Sequence, residues 1–85
     1  MQMKDDKKIK TIYIQLLGEG TQVYRPVPAL EITPNIFEIQ GDDIYDPDDE
    51  EWKFGPGTQV IVEQRFLDGE FVLLAIKEHE EKIEQ

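Results

Sequence analysis

The chain is predicted to be all-β: a small SH3-like barrel or rolled antiparallel sheet of about five to six strands. Three observations lead there. Apolar and polar residues alternate with a period of two in several short segments. Turn-forming residues separate those segments at intervals of about eight to twelve positions. No apolar stripe at helical spacing runs long enough for a packed helix.

The first strand starts at Ile9, where Ile12, Ile14 and Leu16 alternate with Thr11, Tyr13 and Gln15. Gly18-Glu19-Gly20 stops it, because two glycines admit the positive φ of a reversal. The second segment, Gln22 to Ile32, carries Pro26 and Pro28, neither able to donate to a ladder, so it belongs at an edge or holds a bulge. Alternation sets Val23, Arg25 and Val27 on one face and Tyr24, Pro26 and Pro28 on the other.

After Thr33-Pro34-Asn35 a third strand, Ile36 to Gln40, points Phe37 and Ile39 one way and Glu38 and Gln40 the other. Asp46-Pro47-Asp48-Asp49 predicts a type I turn, with aspartate first and proline second. Glu50 to Phe54 then alternates briefly, placing Trp52 with Phe54. The last two strands, around Val60-Ile61-Val62 and Phe71 to Ile76, are apolar on both faces. Asp68-Gly69 between them predicts a type I′ hairpin turn.

These elements make one domain over 9–77, with a flexible N-terminus over 1–8 and a polar tail over 78–85, where a Glu78–Lys82 pair supports at most a frayed turn of helix. An OB barrel is the second choice, disfavoured because its usual helix would fall in an acidic, proline-containing interval. With no cysteine there is neither a disulfide framework nor a thiolate metal site, and the apolar core must hold the fold. Neither a signal peptide nor a membrane-spanning run is expected, which makes the cytoplasm the default location.

Charge narrows the partners. Seven of the nineteen acidic residues lie in Asp42 to Glu51, a stretch without lysine or arginine that supplies seven of the ten net negative charges. The nine basic residues are scattered, so nucleic acid is not an expected partner. Mimicry of nucleic acid is also disfavoured, since it needs carboxylates spread along an extended face.

Catalytic resources are few. The chain has no serine or cysteine, and its one histidine, His79, sits in the tail, so Ser/His/Asp and Cys/His machinery is excluded. The protein is therefore expected to be no enzyme and to need no cofactor or metal. The alternative is a metal-dependent hydrolase using carboxylates of 42–51, which would require an acid desolvated enough to stay protonated. Asp46, Asp48 and Glu50 have the spacing of the first EF-hand ligands, but Glu51 stands where glycine is needed and Gly57 where glutamate is needed. Gly18-Glu19-Gly20 lacks the lysine of a phosphate loop, and Arg25-Pro26-Val27-Pro28 lacks the proline spacing of an SH3 ligand.

The favoured reading is a monomeric binding or adaptor module whose partner is a basic protein or peptide. Its candidate surface joins Asp42, Asp43, Asp46, Asp48 and Asp49 to Tyr24, Arg25, Tyr45 and Trp52, the aromatic rings offering cation–π contacts and the acids steering. The plainer reading for Trp52 is a core residue packed with Phe54.

The stretches LLGEGTQVYRPVPA, DDEEWKFGPGTQVIVEQRF and FVLLAIK together resemble a family of short bacterial proteins of uncharacterised function. The resemblance spans about Ile12 to Lys77 and implies a small β-barrel in a stand-alone cytoplasmic protein. It carries no activity and gives Gln64 and Arg65 no role.

Overall fold

A computed structural model describes residues 8–80 of the chain as six strands with no helix among them. They are β1 (Ile9–Leu17), β2 (Tyr24–Thr33), β3 (Ile36–Ile39), β4 (Glu51–Trp52), β5 (Gln59–Leu67) and β6 (Glu70–Glu78). The flexible N-terminus expected over 1–8, apart from Lys8, and the end of the expected polar tail, including Lys82 of the Glu78–Lys82 pair, lie outside the described residues. Of that tail Glu78 closes β6, and the amide of His79 donates to Gln59 O at 2.7 Å.

Antiparallel pairing runs from β1 to β2, β2 to β3, β3 to β5 and β5 to β6. Strands joined in this way alternate in direction, so when five of them close into a ring the first and last must run parallel. The closing pair is parallel, Tyr13 opposite Leu74, and it turns the sheet into a rolled five-strand barrel. Beyond that rung β4 takes over the same side of β1, with Trp52 opposite Leu16 and Glu51 opposite Leu17.

The alternation predicted for the first three strands sets most of the core, and β5, which read as apolar on both faces, sends only its even phase inward. Ile12, Ile14 and Leu16 of β1, Val27 and Ala29 of β2, Phe37 and Ile39 of β3, and Val60 and Val62 of β5 all point inward and are buried. Ala75 of β6 and Trp52 of β4 join the same cluster. Each large aliphatic or aromatic side chain buried in this way contributes about 1.5–3 kcal/mol.

The two prolines of β2 are accommodated by direction. Val23 O accepts from Leu16 N and Glu31 N donates to Lys8 O, so the odd-numbered backbone groups of β2 face β1. The even-numbered groups face β3, where Pro28 O accepts from Gln40 N at the last rung. Pro28 therefore forgoes one donor at the end of a ladder, and Pro26 lies beyond it. β2 is not the edge strand expected, since β1 and β3 flank it, and only its Pro26 end runs on past β3. The bulge falls not between the prolines but between Glu31 and Thr33, leaving Ile32 unpaired and exposed.

The last hairpin outruns the barrel. Pairing of β5 with β3 stops at Ile61, apart from a bond of Val62 N to Asn35 O, and β6 meets β1 only at Leu74. Glu63 to Leu73 therefore form a two-stranded ribbon. Phe66 and Phe71, opposite each other on the continuation of the core face, are 61% and 68% exposed with their rings edge to face at 4.9 Å. The ribbon is capped by the expected primed turn, with φ of 49° at Asp68 and 83° at Gly69.

Gly41 is a second point of backbone constraint. Its φ is +97°, and a Cβ there would sit 3.3 Å from Ile44 Cγ1 and 3.4 Å from Trp52 Cη2. Ala at Gly69 meets open space, so both substitutions incur the positive-φ penalty but only one crowds the core. Urea unfolding should show Gly41→Ala losing about 1–3 kcal/mol and exceeding the loss in Gly69→Ala. Equal losses would mean that Gly41 is not pressed against the indole.

Candidate functional site

The acidic segment leaves β3 at Gly41 and returns to the barrel at β4. Its first turn is fixed by the amides of Ile44 and Tyr45, both donating to Gly41 O at 2.9 and 3.0 Å. Its second is the predicted Asp46-Pro47-Asp48-Asp49 reversal. Asp46 O accepts from Asp49 N and Glu50 N, each at 2.9 Å, while its carboxylate accepts from Asp48 N at 3.1 Å. An aspartate followed by proline suits this position, because the short side chain reaches the amide two residues on while proline fixes φ.

The return is anchored by Trp52. The indole is 4% exposed and belongs to the core, as its plainer reading has it, with Phe54 packed against the same cluster. Tyr45 lies on it with ring centroids 4.7 Å apart, and Lys53 N donates to Gln15 O at 2.9 Å. The Arg25 guanidinium also stands over the indole, 5.7 Å from the ring centroid. Arg25 Nη1 also donates to Glu50 Oε1 at 3.1 Å, and its enclosed Nε makes no hydrogen bond to protein.

The expected cleft of Tyr24, Arg25, Tyr45 and Trp52 is thus divided. Arg25, Tyr45 and Trp52 close one end of the barrel and leave no open aromatic face at the indole. Tyr24 follows the opposite phase of β2 and turns to the outer face of the sheet. The physical reason is the strand period itself, which sends neighbouring side chains to opposite sides.

Asp42, Asp43, Asp46, Asp48 and Asp49 are all exposed, as is Glu51. None of these six has an ionic partner among the described residues, whose ion pairs are Lys10–Glu31, Arg25–Glu50 and Glu63–Arg65. No three carboxylate or imidazole groups among the described residues converge on a common metal position. Asp42 also borders a shallow groove of about 240 Å³ with Gln40 and Pro56.

A larger cleft, about 600 Å³, opens on the outer face between the β1–β2 connection and the tip of the ribbon. Half-buried Tyr13, Tyr24, Leu67 and Val72 line it, and exposed Asp68 and Glu70 stand at its rim. Of these only Tyr24 figured among the sequence-derived candidates. Tyr13 was detectable as an aromatic residue on the polar phase of β1, whereas nothing in the sequence brings the distant Asp68-Gly69 turn alongside it. Tyr24 and Arg25 join the two regions, one side chain facing the cleft and the next facing the acidic segment.

No helix among the described residues is long and apolar enough to cross a membrane. No protein-family model, curated protein or solved structure matches the chain.

The Arg25–Trp52 contact should be measurable as a coupling. Trp52→Ala should lose about 3–5 kcal/mol by cavity formation. In a cycle of Arg25→Met and Trp52→Leu, the coupling energy from urea unfolding should be about 0.5–1 kcal/mol, the range of a partly exposed cation–π pair. A coupling of zero would remove Arg25 from the support of the indole.

Proposed function

We propose that the protein is a non-enzymatic binding module that recognises a basic protein or peptide through its acidic segment. The observation that supports this reading is the display of Asp42, Asp43, Asp46, Asp48, Asp49 and Glu51, exposed and without ionic partners among the described residues, on a backbone fixed by two hydrogen-bonded turns and a buried tryptophan.

Carboxylates held close together repel one another, by roughly 0.6 kcal/mol for a pair 7 Å apart in water before salt screening. Asp46 and Glu50 serve the fold, by accepting from Asp48 N and pairing with Arg25, but the side chains of the other five acids have no such partner among the described residues. A cationic partner relieves that repulsion on arrival and is steered toward the segment from a distance. Fixed turns add to this, because carboxylates already in place lose little conformational freedom on binding. Glu50 is the exception that defines the boundary: it is committed to Arg25, so the recognition surface is the outer rim of aspartates.

Affinity capture from native cell extract checks the reading, with wild type set beside a variant carrying asparagine at Asp42, Asp43, Asp46, Asp48 and Asp49. Asparagine keeps one side-chain oxygen to accept at the Asp46 turn while it removes the charge and replaces the second oxygen by an amide NH2. A basic partner should be recovered with wild type and reduced about tenfold or more with the variant, and wild-type recovery should fall as salt rises through about 0.15–0.5 M. Equal recoveries would take the acidic segment out of recognition.

A further inference from the structure

We infer that the cleft between the β1–β2 connection and the ribbon tip receives an arginine side chain from the partner's basic segment. This deepens the function proposed above and rests on it for the nature of the partner, but it stands on separate residues.

Tyr13 and Tyr24 lie on one face of the β1–β2 pair. Tyr13 is opposite Pro26 and Tyr24 opposite Gln15, which makes the two tyrosines diagonal neighbours. Diagonal neighbours across antiparallel strands are spaced by roughly 7–8 Å, about the room for one planar group in van der Waals contact with a ring on either side. Aromatic faces attract cations, and a guanidinium is the side-chain cation that is flat and weakly hydrated. Leu67 and Val72 line the same cleft and suit the aliphatic stem of such a side chain.

The rim supplies the complementary charge. Asp68 and Glu70 are exposed, border the cleft and have no ionic partner among the described residues. Arg65 of the same ribbon is paired with Glu63 and does not line the cleft. Both acids sit at a primed turn, where backbone geometry fixes their positions, and two carboxylates can engage the donor fork of a guanidinium in a way that a lysine ammonium does not match. The volume of about 600 Å³ is within the range of binding clefts and exceeds the needs of one side chain, leaving space for the flanking backbone of an extended segment.

The test is an amide-shift titration of the intact protein with the blocked peptide Ac-Gly-Gly-Arg-Gly-Gly-NH2, beside peptides with citrulline or lysine at the centre. The arginine peptide should give saturable shifts at Tyr13, Tyr24 and Val72, the lysine peptide weaker ones at the same amides, and the uncharged citrulline peptide none. Tyr24→Leu should weaken arginine binding about two- to fivefold. The double variant Asp68→Asn, Glu70→Gln, whose changes are exposed and compatible with the turn, should weaken it about fivefold with the spectrum otherwise retained. Equal shifts with citrulline, or no saturable shift at these amides, would overturn the assignment. Shifts confined to residues 42–51 and abolished by the five asparagines would also overturn it while leaving the acidic segment's role intact. Shifts at the cleft that survive those five substitutions, alongside equal recoveries in the extract capture, would uphold the cleft and dismiss the acidic segment.

Discussion

Burial of a single indole determines how this surface is arranged. Trp52 sits on a two-residue strand that has no hairpin partner of its own, and a strand so short cannot hold by its ladder alone. It stays because the indole fills the end of the barrel beside Leu16, with the Tyr45 ring and the Arg25 guanidinium packed against it. The acidic segment is therefore pinned at both ends, at Gly41 where it leaves β3 and at Trp52 where it rejoins β1. Its aspartates stand outside while the aromatic residues of the segment and its return, Tyr45 and Trp52, are turned inward; Ile44 stays exposed among the acids.

The same anchor explains why Arg25, which reaches the acidic segment, does not neutralise its aspartates. Arg25 follows the inward phase of β2 with Val27 and Ala29 and reaches the end of the core, where its guanidinium meets an aromatic face and one carboxylate. A long cationic side chain at the edge of a core can cover apolar surface with its stem while its head finds a charged partner. Glu50 is that partner, and the five aspartates before it remain unpaired among the described residues. Charge segregation in the sequence thus becomes charge segregation on the surface.

Much of the fold could be read from strand periodicity. Ile12, Ile14 and Leu16, and Phe37 and Ile39, each marked an inward face, and Asp68-Gly69 marked its turn, because these signals are local; Val60-Ile61-Val62, apolar on both faces, marked a strand but not which face was core. Contacts between distant segments could not be read. Alternation separates Tyr24 from Arg25 but does not say that Trp52 lies across from one and the ribbon tip across from the other. The exposure of Phe66 and Phe71 was equally hidden: they continue an apolar phase that is core at Val62 and Ala75, and only the point where β3 and β1 stop pairing shows that the core has ended. The parallel closure is a property of the ring, not of any segment.

Amide hydrogen exchange reads the central claim, that the acidic segment is a fixed part of the barrel, most directly. The amides of Tyr45, Glu50 and Lys53, bonded to Gly41, Asp46 and Gln15, should exchange many times more slowly than an unstructured chain, with Lys53 approaching the strand amides of β1. Exchange of all three at unstructured rates, while β1 remains protected, would contradict the account.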